Sequence, residues 1–75
     1  MKVYFHMKIS TVSVIGLGYI GLPTAALLAY KGYSVVGVDV SDHAVNMINQ
    51  GKIHIVEPDL DDFVNSAVAA GRLRA

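Results

Sequence analysis

An α/β fold with a parallel sheet, its elements running β-α-β-α-α, is what these 75 residues predict. Three observations carry that reading. "STVSVI", Ser10 to Ile15, alternates, is β-branched, and ends where a cluster of glycines begins. "YIGLPTAALLAYKG" then changes to a helical period, with Ile20, Thr24, Leu27 and Leu28 recurring and alanine filling the rest. "YSVVGVDV" returns to valine and is apolar on both faces as far as Asp39, as a strand buried in a parallel sheet should be.

Each element has its own start and stop. Pro23 falls in the first turn of the first helix, where a missing N–H costs nothing, and Gly32 is placed to end it. After the second strand, Ser41 can cap "DHAVNMINQ", with Val45 and Ile48 on one face and Gly51 as the stop. "KIHIVEP" reads as an extended connector, since Pro58 keeps Glu57 out of helical geometry. Leu60, Phe63, Val64, Ala67 and Val68 then form an amphipathic stripe that places Phe63 in the core. Asp59, Asp61 and Asp62 complement the N-terminal dipole of this helix and Gly71 ends it. A third strand is expected to follow "GRLRA", which leaves the outer edge of the second strand bare. Residues 1–11 read as an extension and lead-in, and 12–75 as the amino-terminal part of a larger α/β domain.

Composition narrows the function. Six Lys and Arg balance six Asp and Glu, so no broad electrostatic footprint suggests nucleic acid or an anionic membrane. Apolar runs are broken well short of the ~20 residues of a membrane span, and the start lacks the features of a secretion signal, so a cytoplasmic setting is expected. There is no cysteine, hence no disulfide framework, thiolate metal site or cysteine nucleophile within these residues. A small molecule or another protein is the expected partner.

The glycine cluster supplies the chemistry. Gly16, Gly18 and Gly21 spell G-x-G-x-x-G between a strand and a helix, the context in which that spacing cradles a dinucleotide. The first glycine permits the tight turn, the second lets a pyrophosphate approach the backbone, and the third lets helix pack on strand. The N–H groups of Tyr19 and Ile20, at the helix start, are placed to meet the phosphates. Asp39 ends the second strand, about 20 residues on, where a carboxylate accepts hydrogen bonds from an adenosine ribose and repels a 2′-phosphate. No Lys or Arg follows Asp39 until Lys52, so NAD is favoured over NADP. The strand-helix-strand unit with this fingerprint is part of a Rossmann fold. FAD enzymes and some methyltransferases share the pattern, so the ligand class is less constrained than the site.

Longer stretches are more specific. "GLGYIGLPTAALLA", "VVGVDV", "INQGKIHIVEPDLD" and "AVAAGRLRA" together resemble the amino-terminal end of the UDP-sugar dehydrogenases, which oxidise a nucleotide sugar at C6 to a uronic acid. In that family the loop reads G-x-G-Y-[IV]-G-L-P, here Gly16 to Pro23, and a Glu-Pro pair, here Glu57 and Pro58, precedes a helix. "HIVEPDL" resembles the branch acting on UDP-N-acetyl-D-mannosamine more than the glucose branch, which has Tyr and Gly where Val56 and Asp59 stand. The resemblance implies NAD as cofactor and a UDP-sugar as substrate of the full-length enzyme. It also implies two hydride transfers that use a cysteine, through a thiohemiacetal and a thioester, with Lys and Asn or Asp helpers. None of those catalytic segments is present here, so the chain reads as an excerpt of such an enzyme, inactive alone, with no catalytic residue of its own. A truncated, non-catalytic module acting in assembly is the other reading.

Remaining candidates are weaker. His6, His43 and His54 lack metal-ligand spacing and read as solvated or hydrogen-bonded side chains, so no metal site is assigned. Glu57 either orients a loop near the active site, as the resemblance suggests, or is an exposed carboxylate before Pro58. A half-sheet with unpaired edges should also recruit a second copy, so a homo-oligomer is expected, with "MKVYFH" available as an added strand.

Overall fold

The computed structural model describes residues 11–75. Along them run β1 (Thr11–Ile15), α1 (Gly21–Tyr30), β2 (Ser34–Val38), α2 (Asp42–Asn49), α3 (Leu60–Ala69) and β3 (Leu73–Arg74). The sheet order is β1-β2-β3 and both pairings are parallel, with Val12 opposite Val35, Val14 opposite Gly37, and Val35 opposite Leu73. This is a partial Rossmann-like fold, as the alternation of runs predicts. The expected strand start at Ser10 and the proposed role of "MKVYFH" lie outside the described residues.

The third strand corrects the expected order. It does not wait until after "GRLRA" but begins inside it at Leu73, and the Val35 N–H donates to the Arg72 carbonyl at 2.7 Å. The outer edge of β2 is therefore partly paired. The cause is the way α3 ends. Gly71, at φ 73°, reverses the chain while its N–H bonds Val68 O and that of Arg72 bonds Ala67 O. This paired closure delivers the next residue straight into the sheet. The same two-bond reversal closes α1 at Gly32 and α2 at Gly51, the three glycine stops read from the sequence.

The core lies on one side of the sheet, where Leu17, Leu22, Val35, Ile48 and Val64 are fully enclosed. The apolar face of α1 differs from the expected one. Leu22, Ala25, Ala26 and Ala29 are buried, whereas Ile20 and Leu27 are 85% and 54% exposed and Thr24 is exposed. The helix sits so close to β1 and β2 that small side chains fill the contact, and the larger periodic residues turn outward. The start of α1 shifts too, since Tyr19 and Ile20 lie in the turn before it and Ile20 is its N-cap. Helix α2 is capped as read, Ser41 Oγ accepting from the Ala44 N–H at 3.2 Å. Helix α3 buries Leu60, Val64 and Ala67, but Phe63 is half exposed and meets the Tyr30 ring edge to face at 5.6 Å. Phe63 belongs to a surface pair rather than to the core.

Candidate functional site

Parallel strands present their carboxyl ends on one side, and in open α/β sheets ligands collect there. Three segments converge at that end: the Gly16–Ile20 loop after β1, the Asp39–Ser41 turn after β2, and the connector that leads back to α3. The loop is fixed by its own backbone. Gly16 N–H donates to the Val38 carbonyl at 2.7 Å, and Leu17 N–H donates to Asp39 Oδ2 at 2.8 Å. The Leu17 side chain is fully buried beneath β2. It fits because residue 37 is glycine: a Cβ there would lie 2.7 Å from Leu17 Cδ1.

The three fingerprint glycines meet three different demands. Gly16 has φ 88°, the left-handed region that side chains avoid. Gly21 faces the Gly16 carbonyl, which an added Cβ would overlap outright, so helix and strand can approach this closely only without a side chain. Gly18 is open, with nothing within 4 Å of where a Cβ would stand. Gly16, Gly18, Tyr19, Ile20 and Gly21 line one open groove of about 610 Å³ together with Val14, Ile15 and Thr24. Among the described residues, none accepts a hydrogen bond from the N–H of Gly18, Tyr19 or Ile20. These are donors at a helix start with no partner among those residues, the usual setting for a bound anion.

Asp39 lines the adjoining hollow with Ile15, Gly16, Val38 and Val40. Its carboxylate accepts from Leu17 N–H through Oδ2 and, at 2.9 Å, from Ser41 N–H through Oδ1. The Leu17 bond, then the Ser41 bond, hold its carboxyl below the usual aspartate range. The residue thus stays ionised while tying the glycine loop to the turn after β2. Sequence reasoning found Asp39 but missed this second task, and missed Leu17 and Gly37 altogether. A glycine inside a valine strand, opposite the fingerprint, was the available signal.

Glu57 and Pro58 share an apolar groove of about 250 Å³ with Pro23, Ala26, Leu27, Leu60 and Phe63, next to the start of α1. Of the histidines, His43 is exposed, whereas His54 departs from expectation: its Nδ1 is buried with no partner among the described residues. The Ile53 and Ile55 side chains on either side pack against the core. His6 lies outside the described residues.

With this geometry in place, residues 10–75 match the UDP-glucose/GDP-mannose dehydrogenase family, NAD binding domain. The chain belongs to that family. It is 65% identical over 65 residues to an NDP-N-acetyl-D-galactosaminuronic acid dehydrogenase of Ralstonia nicotianae, covering 87% of this chain and 15% of the relative. It is 61% identical over 69 residues to the UDP-N-acetyl-D-mannosamine dehydrogenase of Escherichia coli, covering 92% and 16%. A solved UDP-N-acetyl-D-mannosamine dehydrogenase from Pyrococcus horikoshii superposes with a TM-score of 0.82 at 44% identity, over 85% of this chain and 15% of the other. The chain therefore spans about one sixth of the length of the family members it matches. The segment is the amino-terminal NAD-binding one that the quoted stretches resemble.

Proposed function

We propose that this chain is the NAD-holding amino-terminal portion of a UDP-sugar 6-dehydrogenase that oxidises UDP-N-acetyl-D-mannosamine to its uronic acid. The carrying observation is that the three glycines and Asp39 share one end of the sheet, each in the physical state its task requires. Gly16 shapes the loop, Gly18 leaves room for a pyrophosphate, and Tyr19 and Ile20 offer free N–H donors to it. Gly21 lets the helix start approach the loop. Asp39, ionised and fixed by two N–H groups, receives the adenosine ribose hydroxyls and repels a 2′-phosphate. Bound NAD supplies the acceptor for hydride. No residue of this chain is assigned to the transfer, because the sequence has no cysteine for the thioester chemistry of such enzymes. Residues 12–75 are the binding portion, 1–11 a lead-in, and the cytoplasm is its place of work.

The choice of sugar rests on the "HIVEPDL" stretch and on similarity to enzymes named for N-acetylhexosamine derivatives, of both mannosamine and galactosaminuronic acid type. Titration calorimetry of the chain with NAD and NADP tests the cofactor reading. NAD should bind weakly but measurably and more tightly than NADP, and equal affinities would remove Asp39 from the ribose.

One observation favours self-association besides. Among the described residues β1 pairs on one side only, and its Ile15 is 83% exposed. An edge of this kind invites a further strand, so the isolated chain should form a homo-oligomer. Light scattering coupled to size-exclusion chromatography across a concentration series checks this, and a monomer at every concentration would refute it.

A further inference from the structure

Helix α1 enters the glycine groove with an incomplete first turn. Its N-cap is Ile20, whose side chain has no oxygen to offer a main-chain N–H. Pro23 has no N–H to return to the Tyr19 carbonyl four residues back, so one rung of the turn is missing. What remains is the Leu22 N–H on the Gly18 carbonyl at 3.0 Å and the Thr24 N–H on the Ile20 carbonyl at 3.2 Å. The Thr24 hydroxyl reinforces the second of these. A carbonyl oxygen only accepts, so the hydroxyl is the donor, with Oγ1 2.8 Å from Ile20 O. In the middle of a helix such a bond to the fourth residue back is worth little and slightly weakens the ladder. Here the acceptor is the N-cap itself, and Thr24 lines the same groove as the glycine loop. Thr24 is exposed, so nothing in the core requires its hydroxyl.

We infer that Thr24 is a positioning residue of the dinucleotide cradle, whose hydroxyl holds the Ile20–Gly21 peptide so that the Gly21 N–H is aimed at a pyrophosphate in the groove. The inference rests on the dinucleotide reading given above. A trans peptide is planar, and its C=O and N–H point in opposite directions. The two donors of Thr24 draw the Ile20 carbonyl along the helix, which turns the Gly21 N–H back past the helix start. Among the described residues no group accepts from that N–H, so it joins the free donors of Gly18, Tyr19 and Ile20. A hydrogen bond taken at the carbonyl also polarises the amide it belongs to, which strengthens the N–H as a donor. Gly21 thus has a second task besides the close approach of helix and strand.

The test is calorimetric titration of NAD onto the full chain for the wild type, Thr24→Ser, Thr24→Val and Thr24→Ala. Serine keeps the hydroxyl and should bind NAD within about two-fold of the wild type. Valine and alanine remove it, and both should weaken NAD roughly three- to ten-fold, the scale of one net hydrogen bond. Their melting temperatures should stay within about 4 °C of the wild type, since an exposed bond of this kind adds little to the fold. Equal affinity in the wild type and both hydroxyl-free variants overturns the inference. So does a serine variant that loses as much as they do. A second readout, the Gly21 amide nitrogen resonance in the nucleotide-free chain, separates positioning from direct contact. It should move upfield in the two hydroxyl-free variants, where the adjoining carbonyl has lost a donor, and stay in place in Thr24→Ser. Weaker binding with an unmoved Gly21 resonance puts the hydroxyl on the nucleotide itself and refutes the positioning role. If the wild type binds no NAD, the dinucleotide reading falls and takes this inference with it, whereas NAD binding that ignores the hydroxyl refutes the role of Thr24 alone.

Discussion

Between β1 and β2 the glycine loop is pinned by main-chain groups, whereas α1 and α3 meet through side chains. In the first region Gly16 N–H reaches Val38 O and Leu17 N–H reaches Asp39, so two hydrogen bonds and one buried leucine fix the loop. In the second, Pro23, Ala26, Leu27, Leu60 and Phe63 border an open groove, and an exposed aromatic pair closes over the surface. The first region tolerates almost no change of shape, because carbonyls and N–H groups cannot repack. The second can, because side chains rotate. That difference suits a ligand that must find its donors already in place on one side, and a surface able to adapt on the other.

The largest way to break the first region is Gly21→Val. Its Cβ would overlap the Gly16 carbonyl, a backbone atom with no freedom to yield. Helix α1 must then lift off β1, and the chain should lose about 3 kcal/mol or more, enough to unfold a domain this small. Loss of cooperative thermal unfolding by circular dichroism is the expected outcome. A variant that melts like the wild type would show the loop to be softer than its hydrogen bonds imply.

Gly18→Val separates binding from folding in the same loop. Since nothing lies within 4 Å of the added Cβ, the fold should persist with a melting temperature within about 4 °C of the wild type, a change of under about 1 kcal/mol. The branched side chain would occupy the space assigned to the pyrophosphate, so NAD affinity should fall below detection in a calorimetric titration. Normal binding would mean that the groove is not a phosphate cradle.

These two variants also mark what was legible in the sequence. The left-handed turn at Gly16 and the close helix approach at Gly21 could be read because each is a backbone demand that few other residues meet, and the place of Asp39 because it follows directly on a strand end. Side-chain packing was less legible. The period of α1 pointed to Ile20, Thr24 and Leu27, but the close approach enforced at Gly21 selected the alanines instead. Phe63 fits the stripe of α3 yet lies over the Tyr30 ring, a contact between helices distant in sequence that periodicity on one helix cannot encode. The start of the third strand was placed too late for a similar reason, since Leu73 and Arg74 carry no strand signal until β2 offers them a partner.

Asp39→Asn is a milder test, sensitive to pH. The folded carboxyl titrates below its unfolded value, held there first by Leu17 N–H and then by Ser41 N–H. The charged form therefore stabilises the fold at any pH above the ordinary aspartate value of about 4, and that contribution fades as pH falls toward the folded value. Acid denaturation below about pH 4 should be less steep in Asp39→Asn than in the wild type. At neutral pH the variant should also lose its preference for NAD over NADP, roughly ten-fold. Parallel acid titrations of the two proteins would place the pinning of the loop elsewhere.

The smallest expected effect lies on the helical side and sharpens the contrast. The Tyr30 and Phe63 rings meet at 83°, the edge-to-face arrangement favoured by their quadrupoles, but both are substantially exposed. A double-mutant cycle of Tyr30→Leu and Phe63→Leu should return a coupling of about 0.5 to 1 kcal/mol, read from denaturant unfolding. Leucine keeps apolar cover over the groove, so the cycle isolates the ring contact from loss of area. Neither single variant should alter NAD affinity, because neither ring lines the glycine groove or the Asp39 hollow. A coupling of several kcal/mol, or weakened NAD binding in either single variant, would mean that the helical surface holds the cradle in shape and that the two regions act as one.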